Sequence, residues 1–256
     1  MELKLKGKRA LITGGTRGVG FAIASTLADE GCNLSICARN DKEVTATVAY
    51  LQGKGVNAYG AVVDVAKDAD VKDWVAISAE QLGGIDIIIS NVGAMDIGTD
   101  RAAWEKNLNL DIMGLVHMVE AGEKYLEASA VAHGDAAIVA ISSTASAAIS
   151  NAQSYGAVKA ALIHYAKGLA KDFAPRKIRV NTVAPGMVYF EDGFWERIKI
   201  NHPKAYEAAL AKNPMGRMAV PQDVANAVAF LSSPCASFVS GINMIVDGAM
   251  TDRVNY

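Results

Sequence analysis

The 256-residue sequence predicts an α/β domain: one doubly wound parallel sheet of about seven strands with helices on both faces. Three observations carry that expectation. Short apolar runs alternate along the whole chain with helical patterns of about ten residues or more, the order that right-handed strand–helix–strand units require. The runs are nearly continuous rather than alternating with polar residues, as in a sheet buried on both faces. Composition allows a sizeable core, with 51% hydrophobic and 20% charged residues.

Each element follows from its pattern. Ala10–Thr13 is a first buried strand, followed by a glycine turn and a helix through Phe21, Ile23, Ala24 and Leu27 that Gly31 closes. Asn33–Ala38 is the second strand, and Asp41–Leu51 a helix ended by Gly53 and Gly55. Val56–Val63 is the third strand, Asp70–Leu82 a helix with Val71, Trp74 and Val75 on one face, and Ile85–Ile89 the fourth strand. A long helical region runs from Arg101 to about Ala132, before a fifth strand at Ala136–Ile141. A helix from about Gln153 to Phe173 leads to the sixth strand, Ile178–Val183. Pro221–Leu231 is a helix with proline in its first turn, and Ile242–Val246 the last strand. Residues 187–220 break the alternation. They carry Tyr189, Phe190, Phe194, Trp195 and Tyr206 between prolines, and an insertion this long predicts a helical lid over the carboxyl edge of the sheet. No repeat or linker divides the chain, so residues 1–256 are expected to be one domain.

Composition also excludes function classes. A formal charge of −2 and the absence of a Lys/Arg run argue against nucleic acid as a partner. Cys32, Cys37 and Cys235 form no CxxC pair and are odd in number, which fits reduced thiols in a cytoplasmic protein. The N-terminus lacks the long apolar core of a signal peptide, and no run approaches the length of a membrane span. His117, His133, His164 and His202 are scattered without HxxxH spacing, which fits packing or surface roles and no metal site.

Two stretches carry chemistry. Thr13 to Gly20, TGGTRGVG, lies between the first strand and the first helix, where glycines allow a tight turn and bring a diphosphate close to the free N–H groups of the helix. Ile141 to Lys159, ISSTASAAISNAQSYGAVK, sets Tyr155 and Lys159 four residues apart on one helical face. An ammonium in such a place favours the phenolate form of a tyrosine, and a nearby serine hydroxyl completes a site that exchanges a proton with an alcohol or ketone oxygen.

These motifs together resemble the short-chain dehydrogenase/reductase family. So do Asn91-Val92-Gly93 after the fourth strand, Asp64 after the third, Pro185-Gly186 after the sixth, and Ser240-Gly241 with Val246-Asp247-Gly248 near the end. The resemblance covers nearly the whole chain and implies a Rossmann-type fold, an oxidoreductase acting between a secondary alcohol and a ketone, and a homotetramer or homodimer. The faces of the helices from Arg101 and Gln153 and the segment Ile242–Tyr256 are the expected subunit contacts. It also assigns roles: Tyr155 as general acid or base, Lys159 as its partner and a ligand of the nicotinamide ribose, and a serine that orients the substrate oxygen. The second serine of the run, Ser143, matches the motif if the loop 145–154 is one residue short, whereas the usual thirteen-residue step back from Tyr155 lands on Ser142. Ser143 is favoured and Ser142 stays a candidate, since neighbouring strand residues face opposite ways.

The cofactor residues implied are Gly14, Thr16, Arg17, Gly18, Val19 and Gly20 in the turn, Asp64 and Val65 at the adenine, Asn91 and Gly93 in the crevice, and Pro185, Gly186 and Val188 at the nicotinamide. In Ile36-Cys37-Ala38-Arg39-Asn40, Ala38 stands where an acidic residue would hold an NAD ribose, while Arg39 and Arg17 offer two guanidinium groups to a 2′-phosphate. NADP(H) is therefore expected over NAD(H). The chain departs from the family in three places. Ser90 and Val92 replace residues of the usual NNAG motif, Asp111 replaces a relay asparagine, and Phe190 replaces a threonine that contacts the carboxamide. The aromatic lid with Met95, Met187, Met215 and Met218 suggests an apolar or cyclic substrate; the alternatives are a 3-oxoacyl thioester reductase and a catalytically weak NADPH sensor.

Overall fold

A computed structural model of the chain describes residues 2–149 and 151–252. Seven strands, β1 (Arg9–Thr13), β2 (Asn33–Ala38), β3 (Ala58–Val62), β4 (Ile87–Ser90), β5 (Ala136–Ile141), β6 (Ile178–Pro185) and β7 (Asn243–Val246), form one parallel sheet in the order β3-β2-β1-β4-β5-β6-β7. The order reverses between β1 and β4, which opens a crevice at their carboxyl ends, the place where ligands bind in open α/β sheets.

Alternate residues of each strand feed two cores. Leu11, Ile88, Ile138 and Val180 pack with α3 (Asp68–Leu82), α5 (Gly114–His133) and α6 (Ser154–Phe173). Their neighbours Ala10, Ile12, Ile87, Ile89, Val139 and Val183 pack on the other face with α1 (Gly18–Asp29), α2 (Asp41–Gly53) and α9 (Pro221–Ser232). That is why these strands are continuous apolar runs, each fully buried aliphatic side chain contributing about 1.5–3 kcal/mol. Away from the crevice, at the amino-terminal edge, the Asp86 carboxylate accepts hydrogen bonds from Arg9 N at 2.8 Å, Arg9 Nε at 2.7 Å and Ser129 Oγ. Among the described residues no helix is long and apolar enough to cross a membrane.

Several expected boundaries shift. β3 and β4 are shorter at their amino ends, β6 runs on to Pro185, α3 starts two residues early at Asp68, and α6 starts at Ser154 with Gln153 as its N-cap. The expected helix from Arg101 to about Ala132 is not continuous. α4 (Arg101–Asn107) gives way to a π-helical turn, Leu108–Met113, before α5. The wider turn rotates Asp111 into the interior, where it is 1% exposed. Residues 187–220 contain α7 (Phe194–Asn201) and α8 (Pro203–Leu210). Their ends are tied by a parallel bridge between Val188 and Ala219, with Tyr189 N donating to Ala219 O at 2.8 Å and Ala219 N to Met187 O at 2.9 Å. Of the segments assigned to subunit contact and to the serine loop, residues 253–256 and Ser150 lie outside the described residues.

Candidate active site

The crevice begins with a turn that only glycine can make. Gly14 sits at φ +67°, and a Cβ at Gly20 would lie 2.0 Å from the Gly14 carbonyl oxygen. Thr13 Oγ1 accepts from Asn91 N at 2.9 Å and Val92 N at 3.2 Å, and Asn91 Nδ2 donates to Thr13 O at 3.0 Å, so the ends of β1 and β4 are stitched together below the turn. α1 starts at Gly18 with no side chain capping its first turn, which leaves its first N–H groups for an anion, while Val19 packs against the core. Arg17 and Arg39 are exposed beside this turn, and Thr16 Oγ1 donates to Glu43 Oε2 at 3.0 Å. Asp64 is half-buried at the end of β3 and accepts from Ala66 N at 3.2 Å, while Val65 is in the core with its carbonyl accepting from His117 Nδ1 at 3.0 Å. This cradle fits the diphosphate of a dinucleotide, since a Cβ would close it and no side chain caps the first turn of α1.

The chemical end is organised around one buried ammonium. Lys159 is 3% exposed, and its Nζ donates to Ile141 O at 2.6 Å and lies 2.7 Å from Asp111 Oδ1. The other oxygen, Asp111 Oδ2, accepts from Ala94 N at 2.9 Å. Gly93 passes directly over this pair, and a Cβ there would stand 2.8 Å from Asp111 Oδ1 and 3.2 Å from Lys159 Nζ. Tyr155, one helical turn before Lys159, is half-buried with its ring centroid 5.8 Å from Nζ. The two serines just past β5 have different surroundings. Ser142 is 3% exposed and its hydroxyl donates to Lys159 O at 3.2 Å. Ser143 is half-buried, and its Oγ accepts from Ala145 N at 3.1 Å, which leaves its proton available to another acceptor.

A family model described as enoyl-(acyl carrier protein) reductase matches residues 14–251. The chain is 39% identical to isoepoxydon dehydrogenase of Penicillium expansum over 96% of this chain and 95% of that one. It is 33% identical to human dehydrogenase/reductase SDR family member 4 over 98% of this chain and 90% of that protein. The chain is a short-chain dehydrogenase/reductase. A solved 7α-hydroxysteroid dehydrogenase in complex with NADH and 7-oxo glycochenodeoxycholic acid superposes on it with a TM-score of 0.90 at 29% identity, covering 99% of this chain and 98% of that one. An NADPH-bound short-chain oxidoreductase of Pseudomonas aeruginosa with an atypical catalytic centre superposes with a TM-score of 0.88 at 27% identity, covering 96% and 98%. The chain is accordingly an oxidoreductase of alcohol and carbonyl groups that uses a nicotinamide cofactor.

Pro185 ends β6, Gly186 N donates to Val246 O at 2.9 Å, and Val188 pairs with Ala219. Phe190 then folds back onto the glycine turn, and a Cβ on Gly18 would stand 2.7 Å from its ring. Asn107, close to Asp111 in sequence, is expected to point elsewhere around the helix, and no role attaches to it there. It is fully buried, and its amide joins the β4–α4 loop to Ser154, the residue before Tyr155. One signal was available: Ala103, Asn107, Asp111 and Gly114 form a helical stripe, and two polar residues interrupt its apolar face.

Proposed function

We propose that this protein interconverts a secondary alcohol and a ketone on an apolar or cyclic substrate with NADP(H). The observation that carries the reading is the buried Lys159 ammonium, fixed by Ile141 and Asp111 one turn from Tyr155, at the crevice edge that the glycine turn also lines. When bound, the nicotinamide exchanges a hydride with the carbonyl carbon. In reduction, Ser143 donates a hydrogen bond to the carbonyl oxygen and polarises it, and Tyr155 donates the proton that this oxygen takes up. Lys159 stabilises the phenolate left behind and holds the nicotinamide ribose; oxidation runs the same steps backwards. Ser143 is assigned rather than Ser142 because the Ser142 hydroxyl is already directed at the α6 backbone.

The glycine turn and the first N–H groups of α1 would hold the diphosphate, with Asp64 and Val65 at the adenine and Gly186 and Val188 at the nicotinamide. Ala38 removes the acidic residue that would repel a 2′-phosphate, and the exposed Arg17 and Arg39 supply two charge-assisted forks for it. Residues 187–220 are read as the lid, and their Tyr189–Tyr206 and Phe194–Trp195 ring pairs favour an apolar ligand. The 7-oxo bile acid held by the hydroxysteroid dehydrogenase neighbour supports the same substrate class. The family also supports a cytoplasmic homo-oligomer.

The test mixes the protein with NADPH or NADH and a panel of cyclic ketones, linear ketones and a 3-oxoacyl thioester, and follows nicotinamide absorbance. NADPH-dependent turnover of cyclic ketones that Tyr155→Phe and Ser143→Ala abolish, and Ser142→Ala spares, is expected. Tight NADPH binding with no turnover of any compound would overturn the enzymatic reading in favour of a sensor.

A further inference from the structure

The loop between β4 and α4 holds Met95 at φ +49°, a left-handed conformation that disfavours any residue with a Cβ and persists only where the surroundings impose it. Both of its neighbours are pinned by buried side chains. On one side Ala94 N donates to Asp111 Oδ2 at 2.9 Å. On the other, Asn107 Nδ2 donates to Asp96 O at 2.8 Å and Asn107 Oδ1 accepts from Asp96 N at 3.4 Å. The same Asn107 amide donates to Ser154 Oγ at 2.8 Å, and Ser154 Oγ donates onward to Gly98 O at 3.0 Å. Asn107 and Ser154 are both fully buried, and each polar atom of the Asn107 side chain is engaged.

The clamp leaves two side chains outside. Met95 is 50% exposed and Ile97 57%, two residues apart on a loop that touches Lys159 through Gly93 at one end and the residue before Tyr155 at the other. A strained backbone, held from both sides, presents apolar side chains between the two anchors of the chemical site. A loop free to relax would turn Met95 to an extended conformation and redirect its side chain.

We propose that Met95 is a specificity-determining wall for apolar substrates and that Asn107 is the positioning residue that fixes it. The proposal rests on the ketone–alcohol reading above. Asn107 touches neither substrate nor cofactor; it acts through the loop. Ser154 is the intermediary that ties the height of this wall to the first turn of α6, so substrate contact and proton donor keep a fixed separation.

The experiment is a double-mutant cycle of Asn107→Val and Met95→Gly, read with 2-decalone and 2-butanone as NADPH-dependent substrates and by thermal unfolding. Each single variant is expected to raise KM for 2-decalone at least fivefold with kcat changed less than twofold and KM for 2-butanone unchanged. The double variant is expected to be no worse than either single one. Met95→Gly, which relieves the positive φ, is expected to raise the melting temperature in the parent and to do so much less beside Asn107→Val. Additive KM effects, equal losses on both ketones, or an equal thermal gain in both backgrounds would overturn the proposal. If the parent protein turns over neither ketone, the functional reading has failed, and the thermal cycle alone judges the clamp. Should Asn107→Val not fold, Ser154→Ala, which removes the shared hydroxyl, takes its place in the cycle with the same expectations.

Discussion

Replacing Asp111 by alanine removes one half of a buried ion pair whose partners are 1% and 3% exposed. The Lys159 ammonium would keep the neutral Ile141 carbonyl and lose its only anionic neighbour among the described residues, and Ala94 N would lose its acceptor. Breaking such a pair from one side costs about 3–5 kcal/mol. A chain of this size loses roughly 2–4 °C of melting temperature per kcal/mol, so a fall of about 6–20 °C is expected. Asparagine, the residue that resembles the family pattern, is not neutral here. A carboxylate turns an oxygen to each of two donors, whereas an amide has one oxygen and must face an NH₂ towards the other donor. Asp111→Asn should therefore cost about 1–3 kcal/mol. Thermal and urea unfolding of cofactor-free protein measure both values, and Asp111→Leu with Lys159→Met should regain most of the stability but no turnover. The reasoning is refuted if Asp111→Ala unfolds within about 0.5 kcal/mol of the parent, the range of an ordinary surface change.

Other expectations concern charge and accessibility. Burial opposes the charge on Asp86, but the bonds from Arg9 and Ser129 outweigh it and hold this carboxyl below its ordinary value. Its contribution, about 1.5–3 kcal/mol over Asp86→Asn, should be complete above roughly pH 4 and drain away as pH falls through the lower folded value; a gap unchanged in urea titrations at pH 7 and at the acid limit of folding would contradict this. Burial pushes the Cys32 and Cys37 thiols up to about 12, so a thiol reagent at pH 8 should label the exposed Cys235 alone until the chain unfolds. Mass spectrometry of the labelled protein reads the outcome. Arg39→Asp should lower kcat/KM for NADPH at least tenfold and raise it for NADH, and steady-state rates that leave the ratio unmoved would remove Arg39 from the phosphate site.

The sheet and the glycine turn were legible because each rests on a local rule. Buried parallel strands must be apolar on both sides, and Gly14 and Gly20 stand where a Cβ collides with backbone. Tyr155 and Lys159 were legible as a spacing on one helix. The π-helical turn at Leu108–Met113 was not, because nothing in the run LNLDIM separates a π-turn from an ordinary α-helix. That turn and the clamp around it are tertiary facts. Asn107 reads as one more amide on a helix until Asp96 and, from α6, Ser154 come up to use it. The preference proposed for Ser143 over Ser142 likewise rests on a tertiary contact, since the Ser142 hydroxyl donates to the Lys159 carbonyl seventeen residues away.

The bridge between Val188 and Ala219 has a consequence for how this molecule can change. Val188 follows β6 and Ala219 precedes α9, so everything from Phe190 to Met218 hangs from one closed neck. Lengthening a closed segment is inexpensive in chain entropy, about 0.6 kcal/mol for each doubling. The excursion is therefore a cassette whose helices can be lengthened or rebuilt while the register of β6 against β7 stays where it is.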